Sequence, residues 1–386
     1  MEVESKTTGK TKTTYNSSNN NQPQAQQAQQ TQQITAEITT AKQSETTTTQ
    51  AITQKPLNHF PDIKGMVSMD KQVILPPPVP VRDSSKEPIL DYSQRRNYPV
   101  LIPNDDLCGR GYDKPADLSL DNFDYERDIF LVMVVKSSCA MGERRDAVRA
   151  TWANESWAKR ELGVNVKHLF LLGRCTSDLL TEHVKVESQL HHDIIQWDFH
   201  DSFRNLTVKE VLFLQWYVRS CRNVPFVFKG DDDVFVNTRS VVEYLRHEVK
   251  KNSRRDLFVG SRLQGSPRIL DPTWKYYVSY NLFPDKYYPP YVSGGGFIMS
   301  SSVAVRLFEA SLHVRIFPID DAFVGTLLQH VGVDPKNDPR FKSWGMDHPS
   351  GCRLAKVFTY HKATPLILLK QWKDVTELKE GSCANN

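Results

Sequence analysis

Residues 224–237, VPFVFKGDDDVFVN, bring an apolar run directly to three consecutive aspartates. The β-branched and aromatic residues before Lys229 predict a buried strand, and the apolar pattern resumes at Val234. Adjacent carboxylates repel one another and are costly to desolvate, so a cluster at a strand end needs water, basic side chains or a cation. A solvated acidic turn is the simpler interpretation of an isolated triplet, but the strand pattern on both sides disfavours it here.

Segments on both sides of the triplet alternate between strand and helix patterns. Strands are predicted over residues 129–135, 166–172, 193–197, 257–260 and 275–280, and helices over residues 143–152, 207–221, 239–250 and 317–330. Thr207 and Glu210 form a predicted capping box, and Asn237 is expected to cap the helix that follows the triplet. Strands alternating with helices predict a doubly wound α/β layer, which binds ligands at the carboxyl ends of its strands. The triplet lies at such an end.

The composition divides the 386 residues into three parts. Residues 1–55 are rich in Gln, Thr, Asn and Ser, and we expect them to be disordered because they cannot bury enough apolar surface to offset the entropy of ordering. Residues 56–96 are proline-rich and predict an extended stem or linker. Residues 97–386 are long enough for one large domain or two smaller ones, each with a core.

Charge and cysteine usage narrow the class of protein. The net charge is +4 and the basic residues are dispersed, which makes nucleic acid a poor candidate for a partner. The six cysteines form no CxxC pair, so a structural zinc site is not indicated. Their even number fits disulfides in an oxidising compartment, although six buried thiols would also fit. Three glycosylation sequons, at Asn16, Asn154 and Asn205, favour the disulfides.

The predicted sheet suggests one disulfide as a hypothesis. Cys139 and Cys175 each follow a predicted strand by a few residues. If those strands are parallel neighbours, the two sulfurs could meet at the same edge, and a disulfide between them is a hypothesis.

The amino terminus conflicts with a secretory assignment. Met1 is followed by neither a signal sequence nor an apolar run of transmembrane length. We therefore expect either a soluble version of a membrane-anchored secretory protein or an amino terminus that is incomplete.

Two further motifs follow the triplet. Gly294, Gly295 and Gly296 open a predicted strand and remove side chains where something must approach the backbone closely, although a flexible turn is an equal alternative. Asp320 and Asp321 stand near the start of a predicted helix, where carboxylates commonly do no more than interact with the helix dipole. The same position would present a general base on a rigid element.

Four blocks of sequence, taken in order, resemble the inverting β-1,3-glycosyltransferases of the Golgi. The blocks are residues 144–152 (RRDAVRATW), 229–236 (KGDDDVFV), 288–297 (YPPYVSGGGF) and 319–325 (IDDAFVG). Residues 193–216 and the pair Asp320–Asp321 are most similar to the β-1,3-N-acetylglucosaminyltransferase branch, because the galactosyl-transferring branch more often has Glu-Asp there. The resemblance covers residues 108–383.

The resemblance implies a fold, ligands and a cellular location. Residues 97–386 would form a GT-A type catalytic domain, a doubly wound mixed sheet flanked by helices. The donor would be a UDP-sugar, held with manganese or another divalent cation. The protein would be a type II membrane protein with its catalytic domain in the Golgi lumen; the missing transmembrane segment departs from this pattern and puts the anchoring in doubt.

The resemblance also implies a role for each motif residue. The metal ligands would be Asp233 and His361, and the residues contacting the nucleotide sugar would be Arg144, Arg145, Asp231, Asp232, Gly294, Gly295 and Gly296. Asp321 would be the general base, with Asp320 as its positioning neighbour, although the sequence alone does not rank the two.

The function expected from these roles is transfer of N-acetylglucosamine in β-1,3 linkage to galactose-terminated glycans. A β-1,3-galactosyltransferase using UDP-galactose is the closest alternative. A catalytically silent glycan-binding scaffold is the alternative from another class, and the combination of Asp233, Asp321 and His361 argues against it, because a pure binder needs no base beside a metal site.

Overall fold

The computed structural model describes residues 94–109, 120, 123–251, 256–343, 351–378 and 383. The expected disordered segment over residues 1–55 and nearly all of the stem over residues 56–96 lie outside these ranges. Within the described ranges, no helix combines the length and apolar character required to cross a bilayer.

The described residues form strands β1 (Val100–Ile102), β2 (Ile129–Lys136), β3 (Asn165–Arg174), β4 (Ile194–His200), β5 (Phe226–Asp231), β6 (Val234–Val236), β7 (Phe258–Leu263), β8 (Tyr291–Ser300), β9 (Lys336–Asn337), β10 (Phe341–Lys342) and β11 (Thr359–His361). The helices are α1 (Gly142–Ala150), α2 (Glu155–Leu162), α3 (Asp178–His191), α4 (Leu206–Ser220), α5 (Thr238–Lys250), α6 (Ser301–Ser311), α7 (Asp320–His330), α8 (Gly351–Ala355) and α9 (Pro365–Thr376).

An eight-stranded mixed sheet, in the order β1-β4-β3-β2-β5-β8-β7-β9, organises the fold. Strands β4, β3, β2 and β5 run parallel, whereas β8 is antiparallel to both β5 and β7. A second, three-stranded sheet has the order β10-β11-β6. The predicted doubly wound mixed sheet flanked by helices is therefore confirmed.

Strand β2 lies in the middle of the large sheet, as its continuous apolar run predicts. Its residues from Phe130 to Val135 are completely buried, as is typical of a central strand in a parallel region. Its parallel partners β3 and β5 end at the same edge of the sheet. The polar residues that follow these strands are thereby collected into one region.

The disulfide expected between Cys139 and Cys175 is present, since β2 and β3 are parallel neighbours. Two further bonds join Cys108 to Cys221 and Cys352 to Cys383. The prediction that the cysteines pair is thus confirmed, and Asn237 also caps α5 as predicted, its side chain accepting from the Ser240 amide at 3.1 Å.

The predicted capping box is wrong. Helix α4 begins at Leu206, and the Thr207 hydroxyl, buried inside the fold, donates to the Phe317 carbonyl at 2.7 Å. Glu210 is also buried and forms an ion pair with Lys229 of β5. Both side chains that the local pattern assigned to the helix start therefore bind residues of other elements instead.

The predicted strand over residues 275–280 is also wrong. These residues form turns and one isolated bridge between Ile269 and Tyr277. The aromatic residues raised the strand propensity of this segment. In the structure Tyr277 is buried and Tyr276 is exposed.

Candidate active site

The aspartate triplet starts at the last residue of β5 and continues in the turn before β6, and His361 reaches it from β11. Strand β11 pairs antiparallel with β6, which places His361 opposite Val234. His361 Nε2 consequently lies 3.3 Å from Asp233 Oδ1 and 4.0 Å from Asp231 Oδ2. The short second sheet thus brings a residue from far along the chain to the triplet.

Asp231, Asp233 and His361 fit a divalent cation. Each offers one ligand atom, and these atoms lie within 4.8 Å of one another. Two carboxylates and an imidazole suit manganese and other divalent ions of similar hardness. The hydrogen bond with Asp233 raises the pKa of His361 above its usual value, although burial opposes the rise. The negative charges of Asp231 and Asp233 therefore favour a positively charged group at this position.

Asp232 has a different environment from its two neighbours. It is buried and accepts hydrogen bonds from Ser137 Oγ at 2.7 Å and from Arg144 Nη1 at 2.9 Å. Burial raises its pKa, while these two bonds work in the opposite direction. The side chain ties the triplet to the loop after β2, so its contacts are those of a positioning residue.

The structure separates Arg144 from Arg145. Arg144 is partly exposed and lies 3.6 Å from Asp233 Oδ2, so its guanidinium borders the candidate cation site. Arg145 is buried and holds Glu187 through bonds of 2.7 and 2.6 Å. The guanidinium of Arg145 is thus used inside the fold, and the expectation that it contacts the nucleotide stays a prediction.

Lys136 is a site residue that the sequence motifs missed. It ends β2 in register with Asp231 of β5, and its ammonium lies 3.0 Å from Asp231 Oδ1 and 2.7 Å from Asp320 Oδ2. Burial opposes its charge, but the surrounding aspartates raise its pKa well above the usual value. The contact arises from the parallel pairing of β2 with β5, which the strand patterns in the sequence do not indicate.

Asp320 and Asp321 occupy the first turn of α7 and differ in their electrostatic surroundings. Burial first, and then the charge of Asp320, raise the pKa of Asp321 to about 7. Burial also opposes ionisation of Asp320, but Lys136 and Lys229 outweigh it and lower its pKa. The pair therefore divides into an ionised carboxylate and a carboxylate able to exchange a proton near neutral pH.

The glycine run faces these acidic groups. The Gly294 amide donates to Asp321 Oδ2 at 2.8 Å, and a Cβ on Gly294 would lie 2.8 Å from the other oxygen of that carboxylate. Gly296 has a φ of +121°, a conformation that other residues rarely adopt. The glycines therefore leave space for the Asp321 carboxylate beside the backbone. This is a second reason for the absence of side chains here, besides the expected approach of a ligand.

A cavity of about 370 Å³ opens beside Arg144. The loop and helix start that follow β2 line it, together with residues of α3 and with Pro365. Its position next to the candidate cation site leaves room for a ligand that extends away from the aspartates.

Comparison with known proteins matches the part of the chain that carries most of these motifs. The galactosyltransferase family model matches residues 143–339, which include the aspartate triplet, the glycine run and the Asp320–Asp321 pair. A mouse UDP-GlcNAc:betaGal beta-1,3-N-acetylglucosaminyltransferase 7 is 37% identical over 295 residues, 73% of this chain and 69% of the relative.

Two other relatives are almost as similar. The human N-acetyllactosaminide beta-1,3-N-acetylglucosaminyltransferase 2 is 34% identical over 291 residues, 74% of this chain and 68% of the relative. The mouse beta-1,3-galactosyltransferase 1 is 36% identical over 254 residues, 66% of this chain and 76% of the relative. The matched residues and these identities show that the chain belongs to the galactosyltransferase family.

Proposed function

We propose that the protein transfers N-acetylglucosamine from UDP-N-acetylglucosamine, in β-1,3 linkage and with inversion, to galactose-terminated glycans in the Golgi lumen. The observation that carries the proposal is the position of Asp321, whose pKa of about 7 suits a general base, beside the cluster of Asp231, Asp233 and His361. Two relatives with this named activity support the choice of donor. The three disulfides suit the oxidising lumen.

Each residue has a distinct task in this reaction. Asp321 accepts the proton of the acceptor hydroxyl as the new bond forms at the anomeric carbon. Arg144, which already pairs with Asp232 and Asp233, offers a guanidinium to the diphosphate of UDP. The glycine run keeps the donor sugar close to Asp321. A divalent cation held by the Asp231–Asp233–His361 cluster would supply positive charge to the departing diphosphate.

Transfer of galactose from UDP-galactose is the second candidate function. The relative named beta-1,3-galactosyltransferase 1 favours it, with an identity of 36% against 37% for the first relative. Asp320 favours N-acetylglucosamine, since the galactosyl-transferring branch more often has Glu at this position. The two functions differ in the donor and share the proposed base and cation site.

The test compares both donors on one acceptor. Purified protein is incubated with N-acetyllactosamine and either UDP-N-acetylglucosamine or UDP-galactose, with Mn²⁺ or with EDTA, and Asp233→Asn serves as the blank. We expect Mn²⁺-dependent transfer of N-acetylglucosamine, with a β-1,3 linkage in the NMR spectrum of the product. Transfer of galactose alone would establish the second candidate, and binding of the acceptor without any transfer would support a silent scaffold.

A further inference from the structure

Two of the three glycosylation sequons lie on described residues, and their asparagines have different surroundings. Asn154 immediately precedes α2 and Asn205 immediately precedes α4, whereas Asn16 lies outside the described residues. The hydroxyl residue of the first sequon, Ser156, is exposed, and that of the second, Thr207, is buried. The proposed reaction uses neither sequon.

Asn154 uses only one end of its side-chain amide. Its Oδ1 accepts a hydrogen bond from the Trp157 amide at 2.8 Å and thereby caps α2. Among the described residues its Nδ2 has no hydrogen-bond partner, and this nitrogen is accessible to solvent. Nδ2 is the atom to which an N-linked sugar is attached, and Ser156 is exposed two residues later, as the sequon requires of a surface site.

A glycan on Asn154 would leave the helix cap intact. The cap satisfies a backbone N–H that has no partner inside the helix, so its loss would weaken the start of α2. An N-glycosidic bond forms at Nδ2 and leaves Oδ1 able to accept from the Trp157 amide. The next residue, Glu155, joins the start of α2 to β3 through Lys167, with 2.7 Å between the charged atoms. The acceptor nitrogen is therefore held on an ordered support that faces solvent.

The sequon at Asn205 offers no such free nitrogen. The Asn205 Nδ2 donates to the His200 carbonyl at 2.7 Å. The hydroxyl of Thr207 donates to the Phe317 carbonyl inside the fold. Both polar groups of this sequon are thus bonded to the main chain, and the comparison selects Asn154 as the better glycan site of the folded surface.

We propose that Asn154 carries an N-linked glycan. The co-reactant is a lipid-diphosphate-linked oligosaccharide, used by the oligosaccharide-transferring enzyme of the secretory pathway. A bond forms between Nδ2 and the anomeric carbon while the bond from that carbon to the diphosphate breaks. Nδ2 gives up one proton, and the lipid diphosphate leaves. The inference goes beyond the proposed function but rests on its lumenal location, because this modification belongs to secreted and lumenal proteins.

The glycan attaches away from the proposed active site. Gly142, the first residue of α1, lines the cavity beside Arg144. Helix α1 has nine residues, and its far end lies about 12 Å along the helix axis from Gly142. Asn154 follows that far end, where its amide donates to the Thr151 carbonyl. A glycan at this position leaves the cavity open, so glycosylation and transfer can be measured independently.

The test removes the sequon in two ways that keep the helix cap. The full chain is expressed behind a cleavable secretion signal in cultured animal cells, as wild type, Ser156→Ala and Asn154→Asp. Ser156→Ala leaves the capping side chain untouched, and Asn154→Asp keeps a capping oxygen while removing the acceptor nitrogen. We expect both variants to migrate faster than wild type by the same shift, and all three to migrate alike after digestion with peptide N-glycosidase.

Mass spectrometry locates the glycan directly. Digestion with peptide N-glycosidase in heavy-oxygen water converts a glycosylated asparagine to labelled aspartate, and we expect the label at Asn154. Asn237 is the internal control, because it also caps a helix but has Arg239 where a sequon needs Ser or Thr.

An unlabelled Asn154 would overturn the proposal, as would unchanged migration of both variants. Because the secretion signal supplies entry to the lumen, either result would count against this site and leave the proposed function standing. Transfer by the same purified protein tests that function separately, and a labelled Asn154 in a protein without transfer would support the glycan while contradicting the enzyme.

Discussion

The Lys136 ammonium lies 2.7 Å from an oxygen of Asp320, so the end of the central strand is joined directly to the helix that carries the proposed base. The same ammonium lies 3.0 Å from Asp231 in the candidate cation cluster. One buried positive charge thus separates two groups of carboxylates that would otherwise repel each other. This arrangement sets the protonation states of the Asp320–Asp321 pair.

Replacing Lys136 with Met should impair catalysis and raise the pKa of the base. The Lys136 charge lowers the pKa of Asp321 and of Asp320, so its removal should move the acidic limb of the pH–rate profile to higher pH. We expect kcat/KM at pH 7 to fall by about 100-fold or more, because misplaced catalytic groups lose orientation as well as charge. Lys167→Met, at a lysine that pairs with Glu155 on the surface, is the control. An unshifted limb would contradict this account.

The pH dependence of the wild-type enzyme should report the ionisation of Asp321. Below its pKa of about 7 the carboxyl carries a proton and cannot accept another, so kcat/KM should rise with pH and level off above this value. A bound cation adds positive charge nearby and lowers the pKa, so the midpoint should fall at or below pH 7. A profile that is flat from about pH 5 to pH 8 would contradict a base that titrates near pH 7.

Asp321→Asn should separate catalysis from binding. The amide keeps the size of the side chain but accepts no proton at neutral pH, so we expect transfer to fall by about 10³-fold or more. The affinity for UDP, measured by calorimetry with Mn²⁺, should change by less than about threefold. Asp146→Asn, at an exposed aspartate of α1, is the control. A parallel loss of UDP affinity would identify Asp321 as a ligand-binding residue.

Local sequence predicted the elements around the site better than it predicted the individual side chains. The strand before the triplet and the Asn237 cap depend on residues close to them in sequence, so the local pattern predicted both. Arg144 and Arg145 look equivalent in sequence, but successive residues on a helix point about 100° apart, so one faces the site and the other the core. Only the packed structure decides which is which.

The missed contacts depend on pairing between distant strands and helices. Glu210 looked like a cap because its charged partner, Lys229, lies 19 residues away on another element. The interaction of Lys136 with Asp320 spans 184 residues. The different roles of Asp320 and Asp321 likewise arise from the burial and charges around them, which adjacent positions in a sequence do not reveal.

Gly294→Ala should disable the base by crowding it. The added Cβ would lie 2.8 Å from Asp321 Oδ1, closer than such atoms approach, so the carboxylate or the strand must move. We expect kcat to fall by about 100-fold, since displacement of a reacting group by about 1 Å costs this much. Gly142→Ala is the control, because its nearest contact, Arg145 Nη2, lies at an ordinary 3.7 Å. Full activity of Gly294→Ala would show that Asp321 is not held against this backbone during catalysis.

Glu210→Gln should destabilise the fold strongly, because it leaves a buried ammonium without its counter-charge. Glu210 and Lys229 are 2% and 1% exposed, and each is the ion-pair partner of the other. Breaking such a pair costs about 3–5 kcal/mol in the free energy of unfolding. Glu182→Gln, which breaks an exposed pair with Lys185, should cost less than about 1 kcal/mol.

Urea unfolding followed by tryptophan fluorescence measures both variants, and equal losses in the two would refute the assignment of a stabilising buried pair. The double variant Glu210→Leu with Lys229→Met removes both charges and should recover part of the lost stability. It should still lose activity, because the Lys229 charge also lowers the pKa of Asp320. Recovery of stability without recovery of transfer would therefore separate the structural role of this ion pair from its electrostatic effect on the active site.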